Sequence, residues 1–248
     1  MKKEIIVEHA NKTVYRVDDE VVKLFKPGHA KAELFNEAWI HAHVETAGIP
    51  VPEVRAVKCL DGRWALVQEY IEGQTLQQMM DEKPRQYKKL IDRLIDIQLE
   101  VSSHKVPQLN NTLDKMAKKI NTLKEIDAST RYELLQRVHG MSRHTKLCHG
   151  DFVPSNVIIL KDGRYKILDW AHATQGNAGA DAAITYLRFC LTDEKLAEYY
   201  LKSYSLKADM AIQYIQQWMP IVAAAQLTKH IPEEKDLLMK WISVVEYM

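Results

Sequence analysis

The sequence predicts an α+β fold in two lobes, a small antiparallel β-sheet lobe with one helix followed by a larger, mainly helical lobe. Three observations carry this expectation. Up to about Ile71, short β-branched and aromatic runs are separated by turn residues. Beyond Gly73, apolar residues recur at helical spacing instead. Inside the helical part, two short apolar runs flank Asp162-Gly163, a hairpin signal.

In chain order, strands are expected at Ile5 to Glu8, Thr13 to Val17, Val21 to Phe25, Val54 to Cys59 and Trp64 to Glu69. Asp61-Gly62 marks a tight turn between the last two. One helix, from about Ala30 to Glu45, interrupts the strands between Pro27-Gly28 and Gly48-Ile49-Pro50. Pro84 opens a long helix in which Tyr87, Ile91, Leu94, Ile97 and Val101 share a face. Further helices are expected over 111–126, 129–140, 181–191, 193–204, 207–229 and 233–246. The lobe boundary is placed after residue 72, giving an N-terminal lobe over 1–72 and a C-terminal lobe over 73–248.

Composition narrows the function class. A chain of 248 residues with 46% hydrophobic and 27% charged residues buries a substantial core. A formal net charge of +1 gives no bulk attraction to nucleic acid or to a membrane surface. Three widely spaced cysteines, Cys59, Cys148 and Cys190, suit neither a disulfide framework nor a zinc ribbon. The start, Met-Lys-Lys-Glu before a short Ile-Ile-Val strand, lacks the apolar segment of a signal peptide, and no run reaches membrane-spanning length. A cytoplasmic protein with no nucleic-acid, membrane or protein partner is expected. The histidines at 139, 144 and 149, and those at 41 and 43, lack the matched spacing of a zinc site.

The chemistry concentrates in residues 148–170. With Asp162 and Gly163 alone at the hairpin tip, Asn156 and Asp169 stand opposite each other, and opposed Cβ atoms lie about 4.5–5.5 Å apart. An amide oxygen and a carboxylate so held, just after a second acid at Asp151, suit Mg2+ on a phosphate chain. Each acid alone could as well make a turn. Their joint spacing carries the argument.

Asp151, four intervening residues, Asn156, and Asp169 after a hairpin also follow the order of the kinase catalytic loop and metal-binding aspartate. His149-Gly150-Asp151 stands where protein kinases carry His-Arg-Asp, and Asp169-Trp170 where they carry Asp-Phe-Gly. On these residues the chain resembles the aminoglycoside phosphotransferase family, small-molecule kinases with a two-lobed protein-kinase-like fold. The resemblance runs from about residue 10 to 190.

It implies the following roles. Asp151 accepts the proton of a substrate hydroxyl, and Asn156 and Asp169 hold Mg2+. Lys23, in Val21-Val22-Lys23-Leu24-Phe25, grips the phosphates, with Lys26 as its rival. A helix glutamate fixes that lysine: Glu33 and Glu37 share one face, and the family pattern favours Glu37, which precedes Ala38-Trp39-Ile40. The backbone carbonyl of Glu69 and amide of Ile71 meet the adenine edge of ATP. His149 supports the loop, and Asp181 caps the next helix and braces the catalytic loop. The first hairpin, His9 to Thr13, departs from protein kinases in having no glycine, so Asn11 and Thr13 are weak candidates for phosphate donors.

Only eleven residues separate Asp169 from Asp181, with no Ala-Pro-Glu, which argues against a peptide-docking segment. The expected function is ATP- and Mg2+-dependent phosphoryl transfer to a hydroxyl of a small molecule. Besides aminoglycosides, the acceptor could be choline, a sugar, an amino-acid alcohol or thiamine. The other class is a catalytically inactive nucleotide-binding module. Acids at 193, 194, 198, 233, 234, 236 and 246 would suit a polycation and the aromatic residues around Tyr199 to Trp241 a quaternary ammonium, but helix faces and core packing account for both.

Overall fold

A computed structural model describes residues 3–243. Contacts group the chain into two compact units: the chain up to Pro84 with Pro154–His172, and Arg85–Val153 with the chain from Ala173 onward.

The first unit is built on a five-stranded antiparallel sheet of β1 (Glu4–Glu8), β2 (Lys12–Val17), β3 (Glu20–Phe25), β4 (Val54–Leu60) and β5 (Arg63–Glu69), in the order β1-β2-β3-β5-β4. Period-two alternation sorts β3 onto two faces. Val22 and Leu24 pack with Tyr15, Ala65 and Val67 on one face. Lys23 and Phe25 take the other, where Phe25 and Leu66 pack against Leu34 of α1 (Lys31–Thr46). Leu34 is fully buried, so truncation to alanine removes about 2–5 kcal/mol. Gly48, at φ 83, ends α1 in the left-handed conformation that glycine adopts without cost.

The two Asp-Gly pairs behave differently. Asp61 and Gly62 both have positive φ, 49 and 75, and join β4 to β5 as a two-residue loop with Leu60 opposite Arg63. The second hairpin joins β8 (Val157–Ile159) to β9 (Tyr165–Ile167) with Val157 opposite Ile167, a register closed by Leu160 and Arg164 around a three-residue loop. Here only Gly163 is left-handed, while the Asp162 carboxylate turns back to accept from the Arg164 N–H at 3.0 Å. The ladder is thus one residue out from the register expected of a two-residue tip. Leu168 stands opposite Asn156, donating its N–H to the Asn156 carbonyl at 2.8 Å, and Asp169 lies one residue beyond.

Residues just past the expected boundary at 72 belong to this same unit. β6 (Gln74–Thr75) pairs with β8 to make a sheet β6-β8-β9, and α2 (Leu76–Glu82) starts on a Thr75–Gln78 capping box. A Cβ at Gly73 would collide with the Ile159 carbonyl, so only glycine permits this close approach.

The second unit is helical: α3 (Tyr87–Ser103), α4 (Thr112–Thr122), α5 (Ala128–Gly140), α6 (Ala178–Cys190), α7 (Glu194–Ala208), α8 (Ile212–Gln216), α9 (Met219–Leu227) and α10 (Lys235–Ser243). A two-stranded ladder of β7 (Lys146–Cys148) and β10 (Thr174–Gly176) precedes α6. Every residue of α9 is buried, and a helix covered all round and apolar but for Gln226 is a core helix. The single helix expected over 207–229 is broken: Asp209 ends α7 at φ 48, and Pro220 sits in the first turn of α9, where its missing N–H costs nothing. The helix expected over 111–126 stops at Thr122. The end of the helix expected over 233–246, including Glu246, lies outside the described residues.

Candidate active site

The sequence-predicted residues fall into two groups, one in each unit. In the first, Lys23 rises from β3 toward α1, where its Nζ meets Glu37 Oε1 at 2.8 Å and Asp169 Oδ1 at 3.1 Å. Burial disfavours the ammonium, but Asp169 and Glu37 together outweigh that cost and hold its pKa above the ordinary lysine range. The Lys23 charge, opposed by burial and aided by Lys12, holds Asp169 well below the usual carboxylate range. Both groups are therefore ionised at neutral pH. Geometry separates the pairs that sequence left open: Lys26 and Glu33 are exposed, and Glu33 faces His29 at 3.8 Å.

One turn beyond Glu37, buried His41 lies 2.6 Å from the Pro52 carbonyl through Nε2 and 3.2 Å from the Gln68 amide through Nδ1. Burial pushes its pKa down, so the neutral ring donates from Nε2 to Pro52 and accepts from Gln68. This arrangement ties α1 to β5 beside the glutamate. Asp169 itself sits at φ 58, an unusual conformation for a non-glycine residue. Next to it Trp170 is buried, and its indole N–H donates to the Ile167 carbonyl at 3.1 Å. Asn156 closes the single turn Pro154–Asn156 and contributes its carbonyl to the hairpin ladder. At the end of β5, Glu69 receives the Glu53 N–H on its carboxylate at 3.2 Å, the Tyr70 N–H bonds to the Asp19 carbonyl, and Ile71 is buried.

The second group surrounds the segment after β7. His149 is fully buried and accepts the Asp151 N–H on Nδ1 at 3.2 Å, a supporting contact. Gly150 has φ 82, and its N–H donates to Asp181 Oδ1 at 2.7 Å. The other Asp181 oxygen accepts from Gln98, whose carbonyl in turn accepts the Tyr200 hydroxyl at 2.6 Å. Thr185, one turn after Asp181, donates to the Phe152 carbonyl at 3.0 Å. Asp181 thus braces the loop, but it does not cap the helix. That cap is Asn177, which accepts the Gly179 N–H at 2.8 Å because α6 begins three residues before Asp181.

Two further residues stand in these groups. Arg188 places Nε 3.3 Å from Asp151 Oδ1 and reaches Glu234 at 3.5 Å, while Gln226 donates to the same glutamate. Lys12 places Nζ 3.7 Å from Asp169 Oδ2. Arg188 lies two helical turns after Asp181, a spacing that puts both on one face of α6 and was readable in the sequence. Lys12 carries no such signal, because only the folded hairpin brings it to Asp169. Among the described residues no cluster of three or more His, Cys, Asp or Glu side chains forms a metal site.

The profile of the phosphotransferase enzyme family matches residues 4–213 of this chain. The chain belongs to that family. It is a phosphotransferase. No curated protein matches it significantly by sequence. Among solved structures, a thermostable mutant of aminoglycoside phosphotransferase APH(4)-Ia in ternary complex with AMP-PNP and hygromycin B is similar at TM-score 0.72 and 14% identity, covering 98% of this chain and 91% of that one. Choline kinase LicA from Streptococcus pneumoniae is similar at TM-score 0.67 and 15% identity, covering 98% and 94%. Aminoglycoside-3'-phosphotransferase of type VIII is similar at TM-score 0.64 and 17% identity, covering 88% and 92%. At these identities the likeness is one of fold, the two-lobed kinase-like fold that the sequence predicts.

Several of the acids and aromatic residues that suggested a cationic acceptor have other contacts in the described structure. Asp193 caps α7, and Glu198 pairs with Lys202 on an exposed face. Tyr200, Tyr204 and Trp218 are fully buried in the core. No helix among the described residues is long and apolar enough to cross a membrane.

Proposed function

We propose that the protein transfers the γ-phosphoryl group of Mg-ATP to a hydroxyl of a small alcohol. The observation that carries this reading is the Lys23 ammonium bridging Glu37 and Asp169, two acids from separate parts of the chain gathered around one buried cation. A structural ion pair needs one acid. A phosphate-binding lysine needs a buried acid to orient it and a metal-binding acid beside it.

The adenine would meet the Glu69 carbonyl and the Ile71 amide, and Lys23 would neutralise the α- and β-phosphates. Asn156 and Asp169 are hard oxygen donors, and Asp169 is kept ionised, so the pair fits Mg2+. Mg2+, when bound, neutralises charge on the phosphate oxygens. Asp151 takes the proton of the acceptor hydroxyl as its oxygen bonds to the γ-phosphorus. The bond from that phosphorus to the β–γ bridging oxygen breaks, and ADP leaves. The buried brace of Asp181, Thr185 and Gln98 fixes the loop carrying Asp151, which suits a reaction that asks mainly for positioning.

An ADP-release assay of the purified protein across aminoglycosides, choline, ethanolamine, sugars, homoserine and thiamine tests this function. Efficient turnover of one alcohol is the expected result and names the acceptor. Binding of Mg-ATP with no turnover of any candidate would favour the inactive nucleotide-binding module, and absence of nucleotide binding would reject the reading outright.

A further inference from the structure

We propose that Lys12 is a second phosphate-binding lysine, directed at the terminal phosphate of the nucleotide and supplying by side chain the charge that a glycine-rich loop supplies by backbone. This inference rests on the nucleotide reading above and extends it to a residue outside the expected set.

Lys12 opens β2 directly after the hairpin loop His9–Asn11, and both its flanks are tied down. Its carbonyl accepts the His9 N–H at 2.8 Å, and the neighbouring Asn11 carbonyl accepts the Lys26 N–H at 2.9 Å. From there its side chain runs across its register partner Phe25, with Nζ 5.9 Å from the ring centroid, and is only 15% exposed. Covering a lysine stem this far costs rotamer freedom that a solvated surface lysine keeps. Its ammonium ends 3.7 Å from Asp169 Oδ2, while Lys23 holds Oδ1 of the same carboxylate.

The charge balance gives the direction. Two ammonium groups face Glu37 and Asp169, so the set is neutral only while both carboxylates serve lysines. Glu37 belongs to Lys23, which leaves Lys12 dependent on Asp169. Once Asp169 turns to a divalent cation, Lys12 needs a new anion, and a phosphate oxygen is the group that arrives with the metal. The loop before it, His9-Ala10-Asn11, has no glycine to bring backbone amides close to phosphate. A long cationic side chain at the loop's end does not require that approach. Lys23 takes the α- and β-phosphates in the proposed function, so Lys12 is assigned the terminal one.

A structural rival exists: Lys12 serves only to neutralise Asp169, an ion pair that at this separation contributes little. The two roles separate by ligand. Calorimetric titration of wild type, Lys12→Met and Lys12→Arg with Mg-AMP-PNP, Mg-ADP and adenosine, alongside thermal melts, decides between them. Lys12→Met is expected to bind Mg-AMP-PNP about tenfold or more weakly, Mg-ADP at most about threefold more weakly and adenosine unchanged, with Lys12→Arg keeping most of the triphosphate affinity. Unchanged Mg-AMP-PNP affinity, or equal loss for all three ligands, would overturn the proposal. Should Lys12→Met melt early, the same ligand comparison in the folded Lys12→Arg and Lys12→Gln variants applies, with Gln showing the triphosphate-selective loss. If wild type bound none of the three, the nucleotide reading itself would fall, and this inference with it.

Discussion

The Lys23 ammonium lies 2.8 Å from the Glu37 carboxylate with both side chains buried, and it is held from its other side by Asp169. Removing one member of a buried pair strands a charge, and the two members are not equivalent here. Lys23→Met leaves Glu37 buried without its cation and should cost about 3–5 kcal/mol. Glu37→Gln leaves Lys23 its second acid and should cost roughly 1–3 kcal/mol. Replacing both, as Lys23→Met with Glu37→Leu, should recover part of the lysine penalty. Urea unfolding of the three variants measures the order, and a glutamine variant less stable than the methionine one would contradict it.

Asp169→Asn keeps the size of the side chain and removes the charge that Lys23 and Lys12 share. Mg2+-dependent nucleotide affinity should fall by about tenfold or more while the protein stays folded, because a neutral amide is a poorer Mg2+ ligand than a carboxylate. Calorimetry in the presence and absence of Mg2+ is the measurement. Equal Mg-ATP affinity in the variant and wild type would remove Asp169 from the metal assignment.

Asp151 and Arg188 make a contrasting pair. Asp151→Asn should retain nucleotide affinity and lower kcat by about 10²–10⁴, the range for loss of a general base. Arg188→Met leaves the carboxylate in place but removes the guanidinium 3.3 Å from it, so Asp151 loses a fixed partner. A kcat loss of about tenfold with unchanged nucleotide affinity is expected, reflecting misplacement. Full turnover in Asp151→Asn on any accepted alcohol would exclude the role given to it.

How far the sequence reached is seen in the hairpins and in the charged groups. Asp-Gly announces a tight turn at both 61–62 and 162–163, but loop length depends on whether the aspartate enters the left-handed region. Asp61 does, whereas Asp162 uses its carboxylate to bond Arg164 and adds a residue to the loop. That single residue moves Asp169 off the position opposite Asn156. The motif context of Val21 to Phe25 favours Lys23 over Lys26, and of the two it is Lys23 that is buried. Glu33 and Glu37 share a helix face, so spacing does not separate them; the family pattern favours Glu37, and Glu37 is the one buried beside Lys23. The break at the start of the expected 207–229 helix turned on Asp209 adopting φ 48, which composition does not announce, whereas Pro220, in the first turn of α9, was visible in the sequence.

The brace beneath the Asp151 loop has a directional prediction. Asp181 accepts from both the Gly150 N–H and the Gln98 amide, and the Gln98 carbonyl is already engaged by Tyr200. Asp181→Asn preserves shape yet turns one acceptor into a donor facing another donor. Turning the Gln98 amide over would instead break its bond from the Tyr200 hydroxyl. A stability loss of about 1–3 kcal/mol is expected for one buried group left mismatched. Denaturant unfolding checks it, and Asp181→Asn combined with Gln98→Glu, which restores an acceptor, should recover part of the loss.

Away from both groups, Lys115 of α4 offers a test of pH dependence. Burial first, then the nearby charges of Lys119 and Lys229, depress its pKa from 10.5 to about 8. Below that value the folded protein carries a half-buried ammonium among like charges, which disfavours the folded state. Between about pH 8 and the unfolded value near 10.5, the unfolded chain binds more protons than the folded one at this site, so its contribution to stability rises with pH. Lys115→Met should therefore raise the melting temperature at pH 7, and the gain over wild type should shrink steadily toward pH 10. Tyrosines and cysteines titrate in the same window, so only the difference between variant and wild type isolates Lys115. A gain constant from pH 7 to pH 10 would show that packing, and not relief of charge, was responsible.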